Sequence, residues 1–352
     1  MESLLMDSES MAELTPARMQ ELVGQIGNTP LEPIVMVIDG RMRRVHLKLE
    51  GANPAGSVKD RTGYALVEDL EERGLLRAGS IVVESTSGNL GVALAFICRA
   101  KGYAFLAVVD PKTTQENLAK MQALGAVIDL VDTPDASGGY LLSRLARVQE
   151  LCDRSDEYAW TDQYANAANP RIHYATTGPE IYRQLDGRVD AVFVAVSTGG
   201  TLAGIGRYFR EVSPRTRIIG VDARGSVIFG TPPGPRRLTG IGSSRRSSFL
   251  SPELYDTHML VGDEEAFAFC HVLAAATGLK VGGSSGAVLS ACARYLQAHP
   301  EVEHVVCVCA DCGENYASSI FNATWLRQHG ITFLPRHLAP IQDIRRAVSR
   351  YR

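Results

Sequence analysis

Short apolar runs alternate along the chain with stretches that have the length and the amphipathic pattern of helices. The runs are apolar throughout rather than alternating with polar residues, which is typical of strands in parallel sheets covered by helices on both faces. The pattern therefore predicts the α/β fold class. The predicted strands are 81–84, 105–109, 127–131, 191–196, 218–222 and 305–309, and the predicted helices are 64–70, 90–100, 115–124, 140–152 and 201–211.

Composition limits the functions that such a fold can serve. The 352 residues carry a formal net charge of −3, with 45% hydrophobic and 21% charged residues, enough for two domains or one large one. No basic patch of the kind that binds nucleic acid or a membrane surface appears. The longest apolar stretches, such as 91–98, are too short to span a bilayer, and residues 1–11 lack the apolar core of a signal peptide. We therefore expect a cytoplasmic protein with neither nucleic acid nor membrane as a partner.

Seven cysteines raise the question of a disulfide, metal or redox site. A chain with cytoplasmic features is not expected to form a disulfide framework. Cys309 and Cys312 form a CxxC pattern, with Cys307 two residues before it, but no second CxxC or pair of histidines accompanies them. We interpret 305–309 as an apolar strand that runs into a loop at 311–313, and we predict no metal site.

Three loops rich in Gly, Ser and Thr follow predicted strands or open predicted helices. The first, Glu84-Ser-Thr-Ser-Gly-Asn-Leu-Gly91, brings hydroxyls, an amide and backbone N–H groups to a helix N-terminus, where anions bind readily, although such residues also form ordinary helix caps. The second, Ser197-Thr-Gly-Gly-Thr201, lets the backbone approach an anion closely. It lacks the lysine of a P-loop and the spacing of G-x-G-x-x-G, so a single small phosphate fits it best. The third, Gly282-Gly-Ser-Ser-Gly286, is by itself typical of a tight turn.

Lys59 stands in an unusual position for a lysine. It follows a Pro/Gly turn, Asn53-Pro-Ala-Gly-Ser-Val, and precedes the predicted helix 64–70. Most lone lysines are solvated surface charges, but the positive end of a helix and desolvation both disfavour the protonated amine. Lys59 is therefore a candidate nucleophile.

Six motifs in a fixed order give the chain a family resemblance. It resembles the fold-type II pyridoxal 5'-phosphate family of cysteine synthase and cystathionine β-synthase over about residues 20–330. The resemblance implies two parallel-sheet α/β domains with the cofactor between them, and a homodimer that acts on small amino-acid substrates. A large cofactor-binding domain would comprise 12–53 and 167–330, a smaller mobile substrate-binding domain 54–166, and a C-terminal tail 331–352. The motifs are Ile26-Gly-Asn-Thr-Pro-Leu31, Asn53-Pro-Ala-Gly-Ser-Val-Lys-Asp-Arg61, Thr86-Ser-Gly-Asn89, Ser197-Thr-Gly-Gly-Thr201, Pro233-Gly-Pro235 with Gly240-Ile-Gly242, and Gly283-Ser-Ser-Gly286.

The resemblance also implies a role for each matching residue. Lys59 would be the Schiff-base lysine and the acid–base group, and Asn89 would bind the 3'-oxygen of the cofactor. Ser284 would face the pyridine nitrogen, and this neutral partner makes the ring a milder electron sink that suits β-elimination. The cofactor phosphate would be cradled by Ser197, Thr198, Gly199, Gly200 and Thr201, and the substrate α-carboxylate would be received by Thr86, Ser87, Gly88 and Gln163.

Details within the family favour one branch. Leu90 stands where sulfur-assimilating members usually have Thr, and 134–144, 160–166 and 222–230 resemble enzymes that make N-(2-amino-2-carboxyethyl)-L-glutamate, the precursor of 2,3-diaminopropionate in siderophore and antibiotic biosynthesis. That branch implies a β-replacement in which O-phospho-L-serine loses phosphate to give an aminoacrylate, and the amine of L-glutamate adds to it. The alternatives are a cysteine or S-sulfocysteine synthase, threonine synthase or serine dehydratase chemistry, and a non-catalytic ligand-binding relative.

Several residues outside the six motifs are further candidates for a role. Arg144 is expected either to bind the substrate phosphate or the glutamate side chain, or to be a surface arginine. Tyr164 is a candidate donor to the leaving phosphate, and a packed tyrosine is the alternative. The C-terminal tail, which contains Arg345, Arg346, Arg350 and Arg352, is expected to form a short docking helix, and a ligand site is the alternative. The long loop 226–248 contains Arg236, Arg237, Arg245 and Arg246, for which solvated charges are the favoured interpretation over attraction of a dianionic co-substrate.

Overall fold

A computed structural model describes residues 8–135 and 138–347 of the chain. Its strands are β1 (Leu31–Ile38), β2 (Arg41–Leu49), β3 (Ile81–Ser85), β4 (Ala104–Val109), β5 (Val127–Leu130), β6 (Tyr158–Trp160), β7 (Ala191–Ala195), β8 (Arg217–Ala223), β9 (Thr257–Val261), β10 (Val305–Cys309) and β11 (Ile341–Arg346). Its α-helices are α1 (Ser8–Ala12), α2 (Pro16–Val23), α3 (Lys59–Glu72), α4 (Asn89–Lys101), α5 (Gln115–Ala123), α6 (Leu141–Arg154), α7 (Ala168–Ile172), α8 (Gly178–Gln184), α9 (Gly200–Val212), α10 (Asp263–Thr277), α11 (Gly283–Ala298) and α12 (Ala323–Gln328). The predicted α/β class and each of the predicted strands and helices are confirmed, with ends that differ by a few residues.

The described residues form two compact units. The first unit lies within Met1–Gly27 and Ala52–Ile172, and the second within Asn28–Gly51 and His173–Arg352. The domain boundaries expected from the family resemblance, 12–53 with 167–330 against 54–166, stay a prediction. Among the described residues, no helix combines the length and the apolar character needed to cross a membrane.

The first unit is built on a four-stranded sheet with the order β5-β4-β3-β6, and every pairing in it is parallel. Helix α4 is buried along most of its length and packs with α2, α3 and α5 around a core that includes Leu94 and Phe96. Parallel strands end at the same edge of their sheet, so the segments that follow β3, β4 and β6 open together. These segments begin at Thr86, Asp110 and Thr161.

The second unit contains a seven-stranded sheet with the order β11-β1-β2-β10-β7-β8-β9. Strands β2, β10, β7, β8 and β9 are parallel, whereas β1 pairs antiparallel with both β2 and β11. Helices α10 and α11 pack together over one large apolar cluster that contains Phe193, Phe267 and Phe269. Cys307 and Cys309 are buried on β10, which confirms the interpretation of 305–309 as a strand.

The expected docking helix in the C-terminal tail is wrong for the residues that the structure describes. Residues Ile341–Arg346 form β11, an edge strand paired with β1. Ile344 is the buried residue of this strand, whereas Gln342, Asp343, Arg345 and Arg346 are exposed, as expected for an edge strand. Arg350 and Arg352 lie outside the described residues.

A buried ion pair connects β2 with α8 in the second unit. Lys48 is fully buried, and its Nζ donates to Glu180 Oε2 at 2.6 Å, to the Thr29 carbonyl at 2.8 Å and to Gln184 Oε1 at 3.0 Å. The other carboxylate oxygen of Glu180 accepts the Asn28 N–H at 3.0 Å. Because hydrogen bonds satisfy both charged groups, the cost of desolvating them is offset.

Lys48→Met should therefore lower the free energy of unfolding by about 3–5 kcal/mol, since it leaves the Glu180 carboxylate buried without its cation. Lys101→Met is a matched control, because Lys101 pairs with Glu68 and Glu71 but keeps 21% of its side chain exposed. That control should cost only about 0–1 kcal/mol. Urea denaturation measures both, and equal losses would contradict the importance assigned to the buried pair.

Candidate active site

The loop that follows β3 carries the first predicted anion-binding motif. Helix α4 begins at Asn89, and the residue before it, Gly88, makes no side-chain capping bond. The loop is held by the Thr86 N–H, which donates to the Val108 carbonyl at 3.0 Å. A Cβ on Gly91 would lie 2.8 Å from Thr86 Cγ2, so only glycine lets the helix approach the loop this closely. The loop thus presents Thr86, Ser87, Gly88 and Asn89 at the N-terminus of a thirteen-residue helix.

Gln163 lies beside the start of the same loop. Its side-chain Nε2 donates to the Ser85 carbonyl at 3.0 Å, and its backbone N–H donates to Glu84 Oε2 at 3.0 Å. Glu84 is completely buried at the end of β3, and desolvation raises the pKa of its carboxyl to about 7. The sequence reasoning did not select Glu84, although a single carboxylate inside the apolar run Ile-Val-Val-Glu-Ser is an available signal.

Lys59 is the first residue of α3, at the positive end of the helix dipole. The preceding turn is fixed by Asp60, whose carboxylate accepts the Ala55 N–H at 2.5 Å and the Ser57 hydroxyl at 3.3 Å. The Ser57 hydroxyl oxygen also accepts the Lys59 N–H at 3.1 Å. The Asn53 side chain donates to the Ser57 carbonyl at 3.1 Å, which closes the turn. The half-buried lysine is therefore held on a rigid helix start, as its sequence context predicts.

Arg144 and Tyr164 belong to the same unit as this loop. Arg144 lies on α6 with only 7% of its surface exposed, so the interpretation as a surface arginine is wrong. Its Nε is 3.1 Å from Asp110 Oδ2, on the segment that follows β4. Its Nη1 is buried and makes no hydrogen bond within the part of the chain that the structure describes. Tyr164 is half-buried and follows Gln163 directly.

The second unit carries the 197–201 loop between β7 and α9. Gly199 has a φ of 93°, and a Cβ there would overlap the Ser247 hydroxyl and lie 2.9 Å from Ser247 Cβ. The Ser247 hydroxyl donates to the Thr198 carbonyl at 2.5 Å. Since α9 is capped by Gly199 without a side-chain bond, the N–H groups of its first turn are directed at the loop. This arrangement is suited to a small oxyanion.

The long 226–248 segment makes hydrogen bonds to this loop and to the residue before it. The Gly242 N–H donates to the Val196 carbonyl at 2.7 Å, and the Ser197 hydroxyl lies 3.4 Å from the Gly242 carbonyl. Together with the Ser247–Thr198 hydrogen bond, these contacts connect the segment to the N-terminal part of the loop. Of its arginines, Arg236 donates to the Gly225 carbonyl at 3.0 Å, whereas Arg237 and Arg246 are exposed.

Thr201 has a partner that the sequence reasoning missed. Its hydroxyl lies 3.2 Å from His173 Nε2, and His173 Nδ1 lies 2.9 Å from the Thr177 hydroxyl. His173 is fully buried in a π-helical turn, His173–Thr177, that packs against α9. The contact joins residues far apart in sequence, and π-helical turns often mark functional sites.

Ser284 is the second residue of α11 and is 1% exposed. A Cβ on Gly240 would lie 4.0 Å from the Ser284 hydroxyl and 3.8 Å from the Tyr316 hydroxyl. Tyr316 is buried and donates to Asp311 Oδ2 at 2.6 Å. Burial and the Asp311 carboxylate both raise the pKa of Tyr316, which keeps the phenol protonated. Within the described residues, no group of three histidine, cysteine or acidic side chains is arranged to hold a metal ion.

The comparisons with known proteins agree with an α/β enzyme of this kind. Residues 22–311 match the family described as pyridoxal-phosphate dependent enzyme. The chain is 41% identical over 307 residues to N-(2-amino-2-carboxyethyl)-L-glutamate synthase of Ralstonia nicotianae, covering 87% of this chain and 91% of that protein.

Two solved structures extend the likeness to the fold. An O-acetylserine dependent cystathionine beta-synthase from Helicobacter pylori is 32% identical with a TM-score of 0.77, and the match covers 86% of this chain and 97% of that one. A hydrogen sulfide-producing enzyme from Fusobacterium nucleatum is 30% identical with a TM-score of 0.78, covering 84% and 97%. The fold is therefore that of a fold-type II enzyme with a pyridoxal phosphate cofactor. The chain belongs to the pyridoxal-phosphate dependent enzyme family.

Each unit, taken by itself, contains residues whose chemistry suits part of such a cofactor. A phosphate requires converging N–H and hydroxyl donors, and the 197–201 loop offers them where a Cβ on Gly199 would fill the space occupied by Ser247. In the first unit, Lys59 carries an amine of the kind that an aldehyde requires, and it follows a turn fixed by Asp60.

Gly199→Ala should destabilise the chain more than Gly40→Ala, which is its matched control. Both glycines have a positive φ, 93° and 73°, so an alanine costs about 1–2 kcal/mol of backbone strain at either position. Only at Gly199 must a neighbour shift, since nothing lies within 4 Å of a Cβ on Gly40. Loss of the Ser247–Thr198 bond should add about 1 kcal/mol. Urea denaturation of both variants measures the difference, and equal losses would contradict the close approach at Gly199.

Proposed function

We propose that the chain catalyses a β-replacement in which O-phospho-L-serine and L-glutamate give N-(2-amino-2-carboxyethyl)-L-glutamate and phosphate. The observation that carries this proposal is the 41% identity to a synthase of that name, over nearly the whole of both chains. The product is a precursor of 2,3-diaminopropionate, so we further propose a place in siderophore or antibiotic biosynthesis. We also propose a cytoplasmic homodimer, as the family resemblance implies.

In this proposal, Lys59 binds the cofactor covalently, and the 197–201 loop receives its phosphate. Asn89 binds the 3'-oxygen, and Ser284 serves the pyridine nitrogen as a neutral partner. The positions of Lys59 and of the loop at helix N-termini support these roles, because helix ends favour anions and disfavour a protonated amine.

When bound, the cofactor withdraws electrons from Cα of the attached amino acid, which acidifies the Cα proton and allows a group to leave from Cβ. Lys59 removes that proton and later returns one to Cα, so a single amine serves as covalent anchor and as acid–base group. The 86–88 loop and Gln163 orient the substrate through its α-carboxylate. The hydroxyls of Thr86 and Ser87 supply donors for this, and they stand at the N-terminus of α4.

Arg144 and Tyr164 are the proposed partners of the substrate phosphate. A buried guanidinium whose Nη1 makes no hydrogen bond among the described residues is suited to an incoming anion. The ion pair with Asp110 brings Nε within 3.1 Å of Oδ2, but neither Nε nor Nη1 makes a hydrogen bond among the described residues, which leaves Nη1 for a ligand.

A cysteine or S-sulfocysteine synthase is the second candidate. It is favoured by the solved relatives, one named as O-acetylserine dependent and the other as hydrogen sulfide-producing. The two candidates share the first half-reaction and differ in the nucleophile that attacks Cβ, so product analysis separates them.

The decisive experiment incubates the holoenzyme with O-phosphoserine and, in separate reactions, L-glutamate, sulfide or thiosulfate. We expect a product with the mass of O-phosphoserine plus glutamate less phosphoric acid, and none with Lys59→Ala, which also loses the visible absorption of the bound cofactor. Cysteine formed from sulfide far faster than any glutamate adduct would instead support the second candidate. Full activity of Lys59→Ala would contradict the assignment of the whole site.

The role of Arg144 is tested by comparing two donors. A charge-assisted hydrogen bond to a phosphate oxygen contributes about 1.5–3 kcal/mol, which corresponds to roughly tenfold to a hundredfold in rate. Arg144→Met keeps most of the side-chain volume and should lower kcat/KM for O-phosphoserine by that factor, with a smaller effect on O-acetylserine. Equal losses with both donors would mean that Arg144 acts on structure or on the second substrate.

A further inference from the structure

Glu84 is a fully buried carboxylate at the end of β3, and its environment is unusual for an acid. Its Oε2 accepts the Thr161 hydroxyl at 2.5 Å and the Gln163 N–H at 3.0 Å, and its Oε1 accepts the Ser85 N–H at 2.8 Å. Within residues 8–135 and 138–347, no lysine, arginine or histidine forms an ion pair with it. Three neutral donors therefore hold the charge.

The arrangement requires a carboxylate rather than its neutral amide. A carboxylate is an acceptor at both oxygens, whereas a glutamine would turn one of the two positions into a donor. That NH₂ group would then face either the Ser85 N–H or the donors from Thr161 and Gln163. Burial of the Glu84 carboxylate lowers stability because desolvation disfavours its charge. We therefore expect its role to lie in orienting the groups that donate to it.

The groups oriented by Glu84 surround the proposed carboxylate site. Gln163 is held at its backbone by Glu84 and at its side chain by the Ser85 carbonyl at 3.0 Å. The Gln163 carbonyl accepts the Asn169 side-chain amide at 2.7 Å, and Asn169 Oδ1 lies 3.4 Å from the Thr62 hydroxyl. Thr62 follows Lys59 by three residues on α3. A continuous chain of hydrogen bonds thus runs from Glu84 to the helix turn that begins with Lys59.

We propose that Glu84 is a positioning residue for amino-acid recognition, whose ionised carboxylate sets the orientation of Gln163 and of the 86–88 loop toward the substrate α-carboxylate. The inference rests on the proposed function, because it assigns a role to residues that bind the substrate only in that proposal. Glu84 itself touches neither substrate nor cofactor in this account and acts through Gln163 and the strand end.

A pH dependence follows from the same contacts. Desolvation raises the pKa of Glu84 to about 7, opposed by its bonds to Thr161, Gln163 and Ser85 and assisted by the negative charge of Asp162. On the neighbouring strand β4, the paired residue is the uncharged Ala107. Protonation replaces one acceptor with a donor, so amino-acid affinity should fall as the pH decreases through about 7.

The free energy of unfolding should depend on pH in the opposite direction to amino-acid affinity, and should be higher on the acid side. The folded-state pKa of about 7 exceeds the ordinary value of 4.5, so the folded chain binds more protons than the unfolded chain between these values. The contribution of Glu84 to the free energy of unfolding therefore falls as the pH rises through that window. Glu84→Gln has no titrating carboxyl at this position, so its free energy of unfolding should lack the decrease that the wild type shows as the pH rises through that window.

The test measures binding of L-alanine, which has no leaving group, to the holoenzyme by calorimetry from about pH 6 to about pH 9. We expect wild-type affinity to fall on the acid side and Glu84→Gln to bind roughly tenfold or more weakly at the alkaline end, with little pH dependence of its own. L-Alaninol, which lacks the carboxylate, should bind both proteins equally and so controls for titration of amines. Asp222→Asn is the matched variant, because Asp222 is a buried carboxylate whose pKa desolvation raises to about 6 in the second unit, and it should bind alanine as the wild type does.

The outcomes separate the inference from the proposal on which it rests. Equal alanine affinity in wild type and Glu84→Gln across the pH range overturns the positioning role, while a wild-type holoenzyme that binds no amino acid overturns the proposed function as well. If Glu84→Gln fails to fold, Thr161→Val removes one of the same donors and Thr161→Ser restores it. Weak alanine binding in the first and recovery in the second support the role, and unchanged binding in Thr161→Val contradicts it.

Discussion

Parallel strand pairing is the constraint on which the arrangement of this chain depends. In each unit the strands that are parallel to one another end at one edge of the sheet, and the predicted anion-binding loops 86–88 and 197–201 follow such strand ends and precede helices. The 86–88 loop stands between β3 and α4, and the 197–201 loop stands between β7 and α9. Because helix N-termini carry unsatisfied N–H groups, the same topology that covers the sheets also creates anion sites.

Buried charged side chains are the second recurring feature, and the groups that stabilise the charge differ among the three sites. Lys48 and Glu180 neutralise each other, and Arg144 is held by Asp110. Glu84 has only neutral donors, and for that reason its pKa moves into the range of neutral pH. The first two arrangements pair opposite charges, whereas the third makes the geometry of Gln163 dependent on a proton.

Part of the fold follows from local sequence, because strands such as β7 and β10 are apolar throughout and helices such as α4 and α9 are flanked by Gly or Ser. The C-terminal strand β11 does not follow from it, since a short segment such as Ile341–Arg346, with four exposed residues, can only be recognised as a strand through its pairing with β1. The positions of Lys59 and of the two loops were available from motifs. The contacts of His173 with Thr201 and of Glu84 with Thr161 were not, because they join residues 28 and 77 positions apart.

The attachment of the 226–248 segment to the 197–201 loop has a consequence for engineering. Loop exchange between relatives is a common way to transfer specificity, and a long surface segment with little regular structure is the usual choice for a graft. Here Gly242 and Ser247 are bonded to the backbone of Val196 and Thr198, and Ser247 occupies the space that a side chain on Gly199 would need. A chimaera that replaces the segment without Gly242 and Ser247 would lose these contacts and would alter the 197–201 loop, whatever nucleophile the new segment was chosen to admit.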